Sequence, residues 1–131
     1  MSRTASREAS MKLLFEINYK MDEAQIVLNN FLNENELEIN DKQFITDIIN
    51  GTLNNVDKID ALIEKHSRGW KVNRLAKVDL IILRLAIFEL LYTETPDGVV
   101  INEAVDLAKK YGTDKSGSFI NGLLANIIKE K

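Results

Sequence analysis

The stretch RLAKVDLIILRLAIFELLY, residues 74–92, constrains this chain more than any other. Leu75, Val78, Ile81, Ile82, Leu85, Phe88 and Leu91 recur at three- and four-residue steps, while Leu80, Leu83, Ile87, Leu90 and Tyr92 fill the positions around them. A helix so patterned is apolar on most of its circumference and needs cover on several sides. The spacing therefore predicts a central helix with others packed around it. Its three charges beyond Val78, namely Asp79, Arg84 and Glu89, must pair within the fold or face a partner outside it, because a lone buried charge is costly.

The remaining segments supply the cover. Ala5, Ala9, Leu13, Leu14 and Ile17 predict a helix over roughly 3–20, with Ser2 or Ser6 able to cap it. Asp22 opens a second helix through Ile26, Val27, Leu28, Phe31 and Leu32, and Asn40 opens a third with Gln43 at the capping-box position. From Phe44 to Ile63 the apolar residues keep helical spacing through Gly51, which predicts one long helix. Glycine there costs about 1 kcal/mol relative to alanine, so it marks a close approach by another backbone. Pro96, Asp97 and Gly98 turn the chain, a further helix runs through Val100, Ile101, Val105 and Leu107 to Gly112, and Ser116 or Ser118 caps the last. With 131 residues, 45% of them hydrophobic, one proline and six glycines, we expect one all-α domain over 1–131, a bundle of six to seven helices.

Several functions are disfavoured at once. Without cysteine there is no disulfide framework, thiolate metal site or cysteine nucleophile. The segment MSRTASREASMKLLF has no uninterrupted apolar run, so neither a signal peptide nor a membrane span is expected, and a soluble cytoplasmic protein is. No glycine-rich phosphate loop or metal spacing occurs, and no cofactor is expected. His66, the only histidine, stands beside Ser67 and Arg68 without the third group that a nucleophile and base would need, so it reads as a helix-terminal residue. An enzyme is not expected. Trp70 is expected to plug the interface between two halves of the bundle, the acids of DKIDALIEK to form a solvated face, and Asn102 and Asn121 to cap or bridge helices.

The net charge of −3 conceals an asymmetry. Residues 1–20 carry four cations against Glu8 and Glu16, and residues 108–131 carry five lysines against Asp114 and Glu130, whereas residues 22–65 hold ten acids against three lysines. If the two basic ends meet, they form one positive patch suited to phosphates. The final helices are separated by GTDKSGS and followed at once by Phe119, more polarity than a plain turn needs.

Four segments in order, SRxxxREAxMKLLF, RLAKVDLIILRLAIFELL, P..VVINEAVDLAKKYG and S.SFINGLLANI, together resemble the NusB family of transcription antitermination factors. The resemblance implies two packed three-helix halves. It also implies an RNA-binding antitermination factor that takes single-stranded boxA RNA together with the small-subunit ribosomal protein NusE, in elongation complexes that support ribosomal RNA synthesis. On that reading Arg3, Arg7 and Lys115 serve phosphates, and Ser116, Ser118 and Phe119 serve unstacked bases, beside the helix amides that favour an anion. For the protein partner, the resemblance points to Phe15 and Asp79. The N-terminal arm has only Arg3 and Arg7 where many family members carry a dense arginine run, which implies weaker, less salt-sensitive RNA binding and greater dependence on the partner. Two alternatives remain: a helical adaptor that binds only proteins, and the accessory domain of an RNA methyltransferase, for which a chain ending at Lys131 leaves no room for a cofactor domain.

Overall fold

The chain is described by a computed structural model covering all 131 residues. Seven α-helices form: α1 (Arg3–Ile17), α2 (Ala24–Glu34), α3 (Ile39–Asn54), α4 (Val56–His66), α5 (Lys77–Tyr92), α6 (Asp97–Tyr111) and α7 (Ser116–Lys129), with 3-10 turns at Met21–Glu23 and Val72–Arg74. The first three helices pack on one another, as do the last three, and α4 links the halves while packing on α5 and α7. Helix α5 lies at the centre, against α1, α3, α4, α6 and α7. Its residues Leu80–Leu90 are buried except Arg84, as its all-round apolar pattern requires. One contiguous core of 29 buried apolar residues runs through both halves. No helix is long and apolar enough to cross a membrane.

Several boundaries differ from the sequence reading: α1 stops at Ile17, and Asp22 lies in the 3-10 turn before α2 instead of opening it. The long helix expected from Phe44 to Ile63 is two helices, because the chain leaves helical geometry at Asn55 (φ −115°, ψ 15°). The Asn55 side-chain amide donates to the Gly51 carbonyl at 2.8 Å, a local bond of the kind that competes with the helix ladder. Apolar spacing continues across the break and hides it. Ser2 caps α1, its hydroxyl accepting from the Ala5 N–H at 3.0 Å, but α3 begins at Ile39 without a side-chain cap, and Gln43 donates to Asp47 instead. Pro96 immediately precedes α6, so Asp97 and Gly98 lie in its first turn. Gly51 marks a close approach by a side chain, not by the backbone expected: a Cβ there would sit 2.1 Å from the Phe88 ring of α5, which takes the space that glycine leaves.

Candidate nucleic-acid and partner interface

The three charges of α5 beyond Val78 divide into two that are paired and one that is not. Arg84 donates from Nε and Nη2 to both carboxylate oxygens of Asp60 at 2.8 Å, so the acidic run of α4 is partly structural rather than a solvated face. Glu89 receives Arg7 in the same two-pronged way, from Nε at 2.7 Å and Nη2 at 3.0 Å. Glu103 stands 3.6 Å from the same guanidinium, and the Phe44 ring lies 5.4 Å away. Burial disfavours the Arg7 charge, but the hydrogen bonds and charge of Glu89, with Glu103, more than offset this and hold the group above its ordinary pKa. Arg7 is only 5% exposed, so the phosphate contact expected of it is corrected: it ties α1 to α5.

Asp79 is the exception. It lies in the first turn of α5, where the helix amides favour an anion, yet its Oδ1 is buried with no hydrogen-bond donor. Around it is a hollow of about 250 Å³ lined by Phe15, Val78, Tyr111, Gly112, Thr113 and Ser116 among others. An apolar shelf of Met11, Phe15, Val78 and Tyr111 continues it past Lys12. Phe15 is thus half-buried, one side on the core and the other on the hollow. The rim is braced by Glu8, which accepts from Lys110 Nζ at 2.7 Å and from the Tyr111 hydroxyl; these bonds hold the Glu8 carboxyl below its ordinary pKa. The two residues expected to meet a protein partner therefore share one concavity.

The six residues expected to meet RNA do not form one patch. Arg3 lies over the Phe44 ring at 4.4 Å and 3.7 Å from Asp41, about 18 Å along α1 from Phe15 by helical rise. Lys115 is exposed just before α7, where no side chain caps the helix. Ser116 is 2% exposed and its hydroxyl accepts from the Thr113 N–H at 2.9 Å, so it closes the turn from α6 instead of reaching a base or capping α7. Its hydroxyl occupies the space a Cβ at residue 112 would need, which is why that residue is glycine. Ser118 is exposed and Phe119 half-buried, and both line a separate groove. Trp70 lies in the same groove, 54% exposed, so it does not plug the interface between the halves.

The profile of the NusB family matches residues 4–129. The chain belongs to the NusB family. The transcription antitermination protein NusB of Acetivibrio thermocellus is 47% identical over 132 residues, spanning 100% of this chain and 91% of that protein. Its counterpart in Clostridium novyi is 43% identical, across 98% of this chain and 99% of its own. Among solved structures, T. maritima NusB superposes with a TM-score of 0.92 at 39% identity, covering 99% of this chain and 92% of that one. A crystal structure of the antitermination factors NusB and NusE in complex with dsRNA superposes at 0.87 and 27% identity, with 98% and 97% covered.

Within this NusB fold the sequence reading passed over a second cationic segment. Lys65, Arg68, Lys71, Arg74 and Lys77 recur every third residue with no acid among residues 65–78, a signal visible in the sequence but masked by the reading of Trp70 as core. Tyr111 was missed for another reason: nothing in its local sequence shows that it closes a hollow against Phe15. Asn102 and Asn121 are both exposed.

Proposed function

We propose that this chain is an RNA-binding antitermination factor that acts in the cytoplasm, joining a NusE-type ribosomal protein and single-stranded boxA RNA within a transcription elongation complex. The observation that carries the reading is the unpartnered oxygen of Asp79 in an apolar hollow beside Phe15. A buried acceptor left empty in the free chain is stabilised when a partner supplies a donor, and a basic ribosomal protein offers arginine and lysine for it. Lys115, Ser118 and Phe119 stand at the start of α7, close in sequence to the Ser116 that lines the same hollow, so RNA and protein can be held side by side. Arg3 adds a cation at the far end of α1.

The withdrawal of Arg7 into the fold favours a second reading, the adaptor that binds only proteins. One experiment separates them: titrating labelled boxA-like RNA with the chain alone and with the ribosomal partner. The factor reading expects weak binding alone and tight binding of the pair; a chain that binds the partner but adds no RNA affinity is an adaptor.

A further inference from the structure

We propose that the groove between α7 and the α4–α5 connection carries single-stranded RNA onward from Phe119 to Trp70, with Arg68, Lys71 and Arg74 holding its phosphates. The inference rests on the RNA-binding reading above and extends it to residues that reading does not use.

The connection is built to hold its tryptophan out. Ser67 is buried, and its hydroxyl donates to the Trp70 carbonyl at 2.8 Å; Glu64 accepts from the Val72 N–H at 3.0 Å. Between these two ties the backbone takes positive φ twice, at Arg68 (55°) and Gly69 (87°). Non-glycine residues adopt that conformation rarely, so a chain that needed only a loop has a simpler route. The outcome is a turn tied at both ends that presents a half-exposed indole. Arg68, Gly69, Trp70, Lys71 and Arg74 line a concavity of about 430 Å³ on one side of it, and on the other Trp70 shares a groove of about 330 Å³ with Ser118, Phe119, Gly122 and Asn126. Arg68 and Arg74 are exposed, and Lys71 approaches only Glu64, at 3.8 Å.

The floor of the groove gives an independent sign. Gly122 sits inside α7, and a Cβ added there would meet nothing within 4 Å. Alanine would be the better helix former, and no neighbour in the fold forbids it. Glycine in that place leaves helix backbone bare in the groove that Trp70 and Phe119 also line, the arrangement that lets a ligand's backbone approach closely. Aromatic platforms flanked by cations, with polar Ser118 and Asn126 between, match the chemistry of an unstacked strand: bases on rings, phosphates on guanidiniums. An acidic peptide would satisfy the cations but leave the two rings and the bare backbone without purpose.

The test titrates the full chain with single-stranded RNA of mixed sequence, about 16 nucleotides long, near the upper end of what one small single-strand-binding fold covers. End-labelled RNA reports anisotropy, and unlabelled RNA is followed by indole emission. Trp70 is the only tryptophan, so that emission reports this groove alone. The expected result is quenching that saturates with the anisotropy change. Trp70→Ala then weakens binding about tenfold with the salt slope unchanged, and Trp70→Phe recovers most of it. The double variant Arg68→Gln/Arg74→Gln flattens the slope of log affinity against log salt by about 1.4, two phosphates at about 0.7 each. Gly122→Ala raises the melting temperature yet weakens RNA binding. If anisotropy rises while indole emission stays constant and the groove variants bind like the parent, the groove is off the RNA path; a loss in Lys115→Ala in the same titration would leave the broader reading standing. A parent that binds no RNA with or without the ribosomal partner overturns both. Polyglutamate that quenches Trp70 as strongly as RNA overturns the assignment in favour of an acidic protein.

Discussion

Helix α5 carries an acid near each end, and the fold treats the two differently. Glu89, near the C-terminus where the helix dipole opposes an anion, is met by both prongs of Arg7. Asp79, in the first turn where the dipole helps, is left with one buried oxygen unbonded. The dipole makes Asp79 tolerable without a partner and Glu89 not. A charge that the fold satisfies belongs to the scaffold; a charge that the fold merely tolerates is available to something else.

The contrast breaks first at Arg7. Arg7→Ala leaves Glu89 buried and unpaired and is expected to cost about 3–5 kcal/mol of stability, read as a lower denaturant midpoint. Arg7→Met with Glu89→Leu should recover most of that, since replacing both charges with apolar groups is often neutral. A loss under about 1 kcal/mol in Arg7→Ala would mean the pair is not holding the helices together.

Asp79→Asn should behave in the opposite way. Stability is expected to change by less than about 0.5 kcal/mol, while affinity for the ribosomal partner falls by about 1.5–3 kcal/mol in calorimetry. Unchanged partner affinity would return Asp79 to the scaffold. Phe119 extends the test to an aromatic. If it stacks a base, Phe119→Ala lowers RNA affinity by about 1–3 kcal/mol with the salt slope unchanged. If it is core, the variant melts early, because buried Phe→Ala changes cost about 3–5 kcal/mol of stability, and RNA binding by the folded fraction is normal.

Smaller effects follow the same division among the lysines. Lys110 and Lys131 already hold Glu8 and Asp97, whereas Lys115 stands exposed before α7. Lys115→Ala should flatten the salt slope of RNA binding by about 0.7, and Lys110→Ala should leave it unchanged. The smallest effect is on pH dependence. The Glu8 carboxyl is held below its ordinary value of 4.5, so its contribution is fully present above that value and is lost as pH falls through the lowered one. Glu8→Gln should therefore lower the melting temperature slightly near neutrality, make little difference well below the lowered value, and so remove part of the acid-side fall.

The central helix, the cover around it and the need to account for its three charges are legible in the sequence, because burial on all sides leaves an unmistakable apolar run. What is not legible is pairing. Arg7 reads as a free cation until a carboxylate 82 residues away is brought to it. Ser116 and Ser118 are indistinguishable in a polar junction, yet two residues on a helix differ by about 200° in direction, and one is inside while the other is out. Trp70 failed for a related reason: size argues for burial, and only the braced turn at Ser67 shows why this indole stays in water.

The bond from the Thr113 N–H to the Ser116 hydroxyl has a consequence for how the chain can vary. It sets the rotational phase of α7 relative to α6, since Ser116 fits only the space left by Gly112. One residue inserted between Gly112 and Lys115 would have to be absorbed by the turn or would turn α7 by about 100°. In the second case Phe119 and Gly122 would swing away from Trp70, although every residue of the groove would still be present. The four residues between α6 and α7 are therefore an indexing pin: their number, more than their polarity, is what this junction cannot change.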